Sequence, residues 1–170
     1  MKLAYVTLQG RGRTDALIAE VASRLTAEGV RLAGTVQSNS ERPDRRRCDM
    51  DLRVLPDGPV VRISEDRGSL ARGCVLDSGA LEQTVVAVQE RLPGAEVLIV
   101  NKFGKREAEG RGLVPVIVEA LDRGLPVLVG VNGLNLAVFL AFAGEGVIPL
   151  PAEPATIAGW CRTAAGAVVV

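Results

Sequence analysis

The sequence predicts an α/β fold: three layers, a mainly parallel sheet with helices on both faces, and a β-hairpin inserted near 48–64. Three observations carry that expectation. Apolar residues make up 48% of the 170, with 3% aromatic and 19 glycines, a composition that suits strands buried beneath helices on both sides. Short apolar runs alternate with stretches of helical period. The first such unit reads strand, glycine loop, helix, strand, which is a βαβ unit. The length fits one domain over 1–170, long enough to bury a core.

Leu3 to Leu8 is a short apolar run ending in the turn Gln9-Gly10-Arg11-Gly12, a buried strand feeding a loop. Leu17, Ile18, Val21, Ala22 and Leu25 recur at helical spacing until Gly29, a residue suited to closing a helix. Val30 to Val36 follows as a second strand, and polar, Arg-rich Gln37 to Arg47 as an exposed loop. Asp49 to Val54 alternates with period two, Pro56-Asp57-Gly58 turns, and Val60 to Ile63 returns, which makes the hairpin. Glu65 to Gly73 reads as loop. Ser78 is expected to cap a helix bearing Leu81, Val85, Val88 and Leu92, stopped by Pro93-Gly94. Glu96 to Val100 is a buried strand that runs into a loop from Asn101 to Gly112. A helix from Leu113 to Arg123 tolerates Pro115 in its first turn. A strand at Leu125–Val131, a helix at Leu134–Ala143, a strand at Val147-Ile148 and a helix at Pro154–Cys161 complete the order.

Composition excludes several chemistries. The chain has no histidine, which removes Ser–His–Asp triads, Cys–His dyads and His-ligated zinc. Formal charge is +0, so bulk electrostatics name no partner, and no basic footprint points to nucleic acid. Cys48, Cys74 and Cys161 are odd in number and far apart, a reduced, cytoplasmic pattern. Cys48 and Cys74 read either as soft ligands or a redox pair near basic residues, or as small buried hydrophobes. Asp49 and Asp51 either reach a cation or pair with Arg45 to Arg47. No apolar stretch reaches the length of a membrane span.

In an open parallel sheet, ligands bind beyond the carboxyl ends of the strands. Two segments belong there. Thr7-Leu8-Gln9-Gly10-Arg11-Gly12-Arg13-Thr14 overlays the phosphate-loop pattern G-x-x-x-x-G-K-[ST] imperfectly. Thr7 stands for the first Gly and Arg13 for the Lys. Gly10 and Gly12 supply permissive backbone, Arg11 and Arg13 charge, and Thr14 a hydroxyl; the alternative is a solvated turn with Thr14 as a cap. The segment Asn101–Gly112 gathers Lys102, Lys105, Arg106 and Arg111 with Glu107 and Glu109. It reads as an anion site in which Asn101, Lys102, Lys105 and Arg111 bind and Glu107 or Glu109 acts as catalytic base or orienting partner, or as a solvated loop with internal ion pairs.

The stretch Val97-Leu98-Ile99-Val100-Asn101-Lys102-Phe103-Gly104-Lys105-Arg106-Glu107 resembles the Walker-B segment of the thermophilic nucleoside-triphosphatase family, a P-loop family whose strand ends in Asp-Glu-Ile-Gly-Lys-Met-Glu. Arg46 to Leu52 and Gly124 to Leu128 are similar to that family too, so the likeness covers most of 1–131. Asn101 and Lys102 replace the two carboxylates that organise magnesium and activate water in it. That departure puts magnesium-dependent hydrolysis in doubt. Arg47-Cys48-Asp49-Met50, Ala71 to Asp77 and Asn101 to Gly112 resemble, nearly end to end, the bacterial family called domain of unknown function number 2478. That resemblance implies an association with molybdate transport or molybdoenzymes.

Two functions follow as expectations, beside a third, an interaction scaffold whose inserted hairpin docks a partner. One is a phosphate- or nucleotide-binding protein of nucleoside-triphosphatase ancestry, with weak or lost hydrolysis. The other is a non-enzymatic oxyanion (molybdate-like) sensor, carrier or adaptor. Both need a small anionic ligand, a nucleotide, phosphate or molybdate-like ion, and no resident metal. Self-association into homo-oligomers stays open.

Overall fold

The computed structural model describes residues 1–10, 12–41, 48–64 and 76–166. Seven strands form one sheet: β1 (Leu3–Val6), β2 (Leu32–Glu41), β3 (Cys48–Leu55), β4 (Val60–Arg62), β5 (Val97–Phe103), β6 (Val127–Val131) and β7 (Ile148–Pro149), in the spatial order β4-β3-β2-β5-β6-β1-β7. From β2 to β7 every pairing is parallel. The β2–β3 and β3–β4 pairings are antiparallel.

Helices cover both faces because the central strands are apolar on both. In β5, Leu98 and Val100 belong to one buried cluster and Val97 and Ile99 to the other, as a period of two requires. The first cluster packs on α2 (Ser78–Arg91), α4 (Val114–Asp122) and α5 (Leu136–Ala143). The second packs on α1 (Arg13–Ala27) and α6 (Pro154–Ala164). Phe139 anchors the first cluster, edge-on to Tyr5 and Phe103 at centroid distances of 5.4 and 5.2 Å. Cys161 is a packing residue of the second, and burial pushes its thiol up to about 12, so it is chemically inert. Among the described residues, no helix is long and apolar enough to cross a membrane.

Three expectations need correction. Gln37 to Glu41 are not loop: they prolong β2, paired residue by residue with Cys48 to Leu52 of β3. The hairpin is therefore the outer part of an antiparallel meander, not a separate excursion. Ser78 does not cap α2; Asp77 does, its side chain accepting from Ala80 N at 3.1 Å. The segment 101–112 is not a loop throughout, since β5 runs to Phe103 and a single helical turn, α3 (Lys105–Ala108), follows. Arg11, the Arg42–Arg47 cluster, Cys74 and Glu65 to Gly73 lie outside the described residues.

Candidate functional site

Parallel register decides where the two candidate segments emerge. Val6 of β1 pairs with Gly130, and Phe103 of β5 with Val131. The segments following β1 and β5 therefore leave the same sheet edge, on either side of β6. They also touch. A Cβ built on Gly130 would lie 2.2 Å from the Asn101 carbonyl oxygen and 3.1 Å from Cγ2 of Thr14. Absence of a side chain at 130 is what lets Thr14 and the Asn101 carbonyl both come close to β6 there.

On the first segment, Gly10 (φ 104°) and Gly12 (φ 74°) adopt left-handed backbone, conformations that L side chains resist. Gly12 is the N-cap of α1 and offers no side-chain cap, so the partial positive charge of the helix start faces the sheet edge uncovered by a side-chain cap. Thr14 holds the loop to the helix: its Oγ1 accepts from Leu8 N at 3.2 Å and donates to Leu8 O at 3.5 Å. The exposed Arg13 guanidinium donates to Gln9 O at 3.1 Å. Its alkyl chain folds over Gly10, where a Cβ would come within 2.7 Å of Arg13 Cδ.

The second segment is built differently. Asn101 is buried, its Oδ1 accepting from Thr35 Oγ1 at 2.7 Å and its Nδ2 donating to Gln37 Oε1 at 2.9 Å. Lys102, Lys105, Glu109 and Arg111 are exposed. Glu107 is buried, and both its oxygens are taken: Gly104 N donates to Oε1 at 3.0 Å and Leu113 N to Oε2 at 3.1 Å. It braces the turn between β5 and α4. Burial raises its pKa above the usual carboxylate value, while those backbone donors and the charge of Lys102 oppose the shift. Arg106 lies 3.6 Å from Glu82 of α2 and 3.8 Å from Glu109. Across the hairpin Asp51 pairs with Arg62 at 2.9 Å. Among the described residues no His, Cys, Asp and Glu cluster could hold a metal.

A pH test isolates Glu107. Between the ordinary 4.5 and its raised value, the folded state binds more of this proton than the unfolded chain. The group's contribution to stability therefore falls as pH rises through that window. Glu107→Gln removes this dependence. In urea unfolding from pH 4.5 upward, parent stability should fall relative to the variant; a gap moving the other way would contradict the burial argument.

Thr35, Gln37 and Gly130 were not singled out by the sequence, yet they fix Asn101 and Thr14. The alternation Ala33, Thr35, Gln37 was the available signal for the first two. For Gly130, the residue ahead of Val131 on an apolar strand, only the fold reveals the contact.

The family described as "Protein of unknown function (DUF2478)" matches residues 3–160. A protein of Bradyrhizobium diazoefficiens, "Molybdenum import ATP-binding protein ModC 2", is 30% identical over 164 residues, which are 95% of this chain and 18% of that protein. The chain thus spans less than a fifth of the curated relative it matches. The solution structure of a human cancer-related nucleoside triphosphatase superposes with a TM-score of 0.63, at 17% identity, over 99% of this chain and 98% of that one. At such identity the likeness concerns the fold alone.

Proposed function

This chain belongs to the family described as "Protein of unknown function (DUF2478)", and we propose that it binds a nucleotide through its phosphates at the shared edge of β1, β6 and β5, with hydrolysis weak or lost. The observation that carries the reading is the glycine loop. Two left-handed glycines lead into a 15-residue helix whose start has no side-chain cap, the geometry that presents backbone N–H groups to an anion. Arg13 and, from the facing segment, Lys102, Lys105 and Arg111 supply cations, with Gly10, Gly12 and Thr14 shaping the cradle. A nucleoside-triphosphatase fold in the human relative and an ATP-binding name on the bacterial one support a nucleotide rather than a free ion. The import role in that bacterial name also supports a link to molybdenum metabolism.

Loss of hydrolysis rests on Asn101. Its amide is committed to Thr35 and Gln37 and carries no charge for a magnesium ion. Glu107 has both oxygens engaged by backbone amides, so it serves as a brace and not as a base, and Glu109 lies beside Arg106. Turnover of ATP or GTP is expected below about 1 per second; faster release of phosphate by purified protein would reject this part. The second reading, a non-enzymatic oxyanion sensor or carrier, is favoured by the same uncharged Asn101. A thermal-shift panel of nucleotides, with and without magnesium, against molybdate, tungstate, sulfate and phosphate separates the two. A ligand at about 100 times its Kd raises stability by about 2.7 kcal/mol. Stabilisation by molybdate and not by nucleotides would select the second reading.

A further inference from the structure

Beside Asn101, residues of β2, β3, β5, α2 and α3 line a partly open cavity of about 190 Å³. Its apolar wall is made by Leu52, Ile63 and Leu81, a small buried cluster separate from the two main cores, with Met50 and Leu76 packed against it. Its polar side holds Lys102, Lys105 and Arg106. We propose that this cavity binds a small organic anion with an apolar body.

Size sets the first limit. An apolar cavity of about 150 Å³ accommodates benzene, so this one admits a body of one six-membered ring. Charge sets the second. Glu107 is the carboxylate lining the cavity, and its oxygens already accept two backbone amides. Lys102 and Lys105 form no ion pair among the described residues. Arg106 reaches Glu82 and Glu109 only at 3.6 and 3.8 Å, and its Nε is buried without a hydrogen-bond partner. Lys102 and Lys105 are therefore the cations left to meet an anion in the cavity. A neutral ligand would leave Lys102 and Lys105 without an ion pair among the described residues, whereas an anion would offset both.

This inference goes beyond the phosphate reading, because the apolar wall lies on the meander, with β2, β5 and β6 between β3 and β1. Asn101 joins the two places: its carbonyl faces Gly130 of β6, which Thr14 also approaches, while the residue also lines the cavity.

The test is an NMR titration of the full chain with benzoate, using benzyl alcohol as the neutral isostere. Benzoate should shift the amides of Leu52, Ile63, Leu81, Gly104 and Leu113 and bind about tenfold tighter than the alcohol. Leu81→Phe, which fills the cavity, should weaken benzoate about tenfold and leave ATP affinity unchanged; Arg13→Ala should do the reverse. Shifts confined to residues 8–14 and α1, or equal binding of acid and alcohol, would overturn the proposal without touching the phosphate reading. Should Leu81→Phe fail to fold, the parent's shift map and the acid-to-alcohol ratio decide alone.

Discussion

Gly34→Ala is expected to cost about 4 kcal/mol or more, at the extreme of single substitutions, and to lower the melting temperature by roughly 8–16 °C. Gly34 lies within β2, paired with Leu55 of β3 on one side and Ile99 of β5 on the other. Its φ is 120°, and a Cβ there would come within 1.8 Å of the Ile99 carbonyl oxygen. The obstacle is backbone on a buried central strand, so it cannot swing aside as a side-chain tip would. Relief requires β2 and β5 to separate, which breaks ladder hydrogen bonds on which the meander's attachment depends. Thermal unfolding checks this directly. A variant melting within about 2 °C of the parent would contradict the close approach of the two strands.

Gly130→Ala should act on stability and on binding together. The added methyl meets the Asn101 carbonyl at 2.2 Å and Thr14 Cγ2 at 3.1 Å. Overpacking of this kind costs typically about 1–3 kcal/mol, and here the upper end applies because one neighbour is backbone, giving a fall of roughly 6–12 °C. Displacing Thr14 also disturbs its two contacts with Leu8 and hence the glycine loop. ATP affinity should drop about tenfold or more, on the rule that small misplacements at a site carry large penalties. Gly124→Ala is the control: its φ is 77°, yet nothing lies within 4 Å of its Cβ. It should lose about 1 kcal/mol from backbone strain alone and keep ATP affinity. Equal affinity in the Gly130 and Gly124 variants would show that Thr14 does not shape the site.

The layers and their order were legible because β5 and β6 are unbroken apolar runs and α1 repeats its apolar positions at helical spacing. Local pattern is sufficient there. It failed at Gln37 to Glu41, where polar side chains on a strand paired with β3 look like loop, and at α3, where one turn is too short to show a period. The glycine loop was legible from Gly10, Gly12 and Thr14 as a pattern. What holds it against the second segment was not: Thr35 and Asn101 are 66 residues apart, and the Gly130 contact joins three elements. Such pairings depend on strand order, which periodicity does not encode. Glu107 illustrates the same limit, since its burial and its two amide donors, Gly104 and Leu113, could not be read from its charge.

Calorimetric titration of ATP into the parent and into Arg13→Ala, without and with magnesium, tests the central claim most directly. Arg13 is exposed and its guanidinium donates to Gln9 O of its own loop, so the variant should melt within about 2 °C of the parent. The parent should bind ATP without the metal, and magnesium should change that affinity by less than about tenfold, because Asn101 brings no charge to hold it. Arg13→Ala should weaken binding about tenfold or more, the loss expected when a charge-assisted phosphate contact is removed. Absence of ATP binding by the parent, or equal affinity in parent and variant, would contradict the assignment of the glycine loop as a phosphate site.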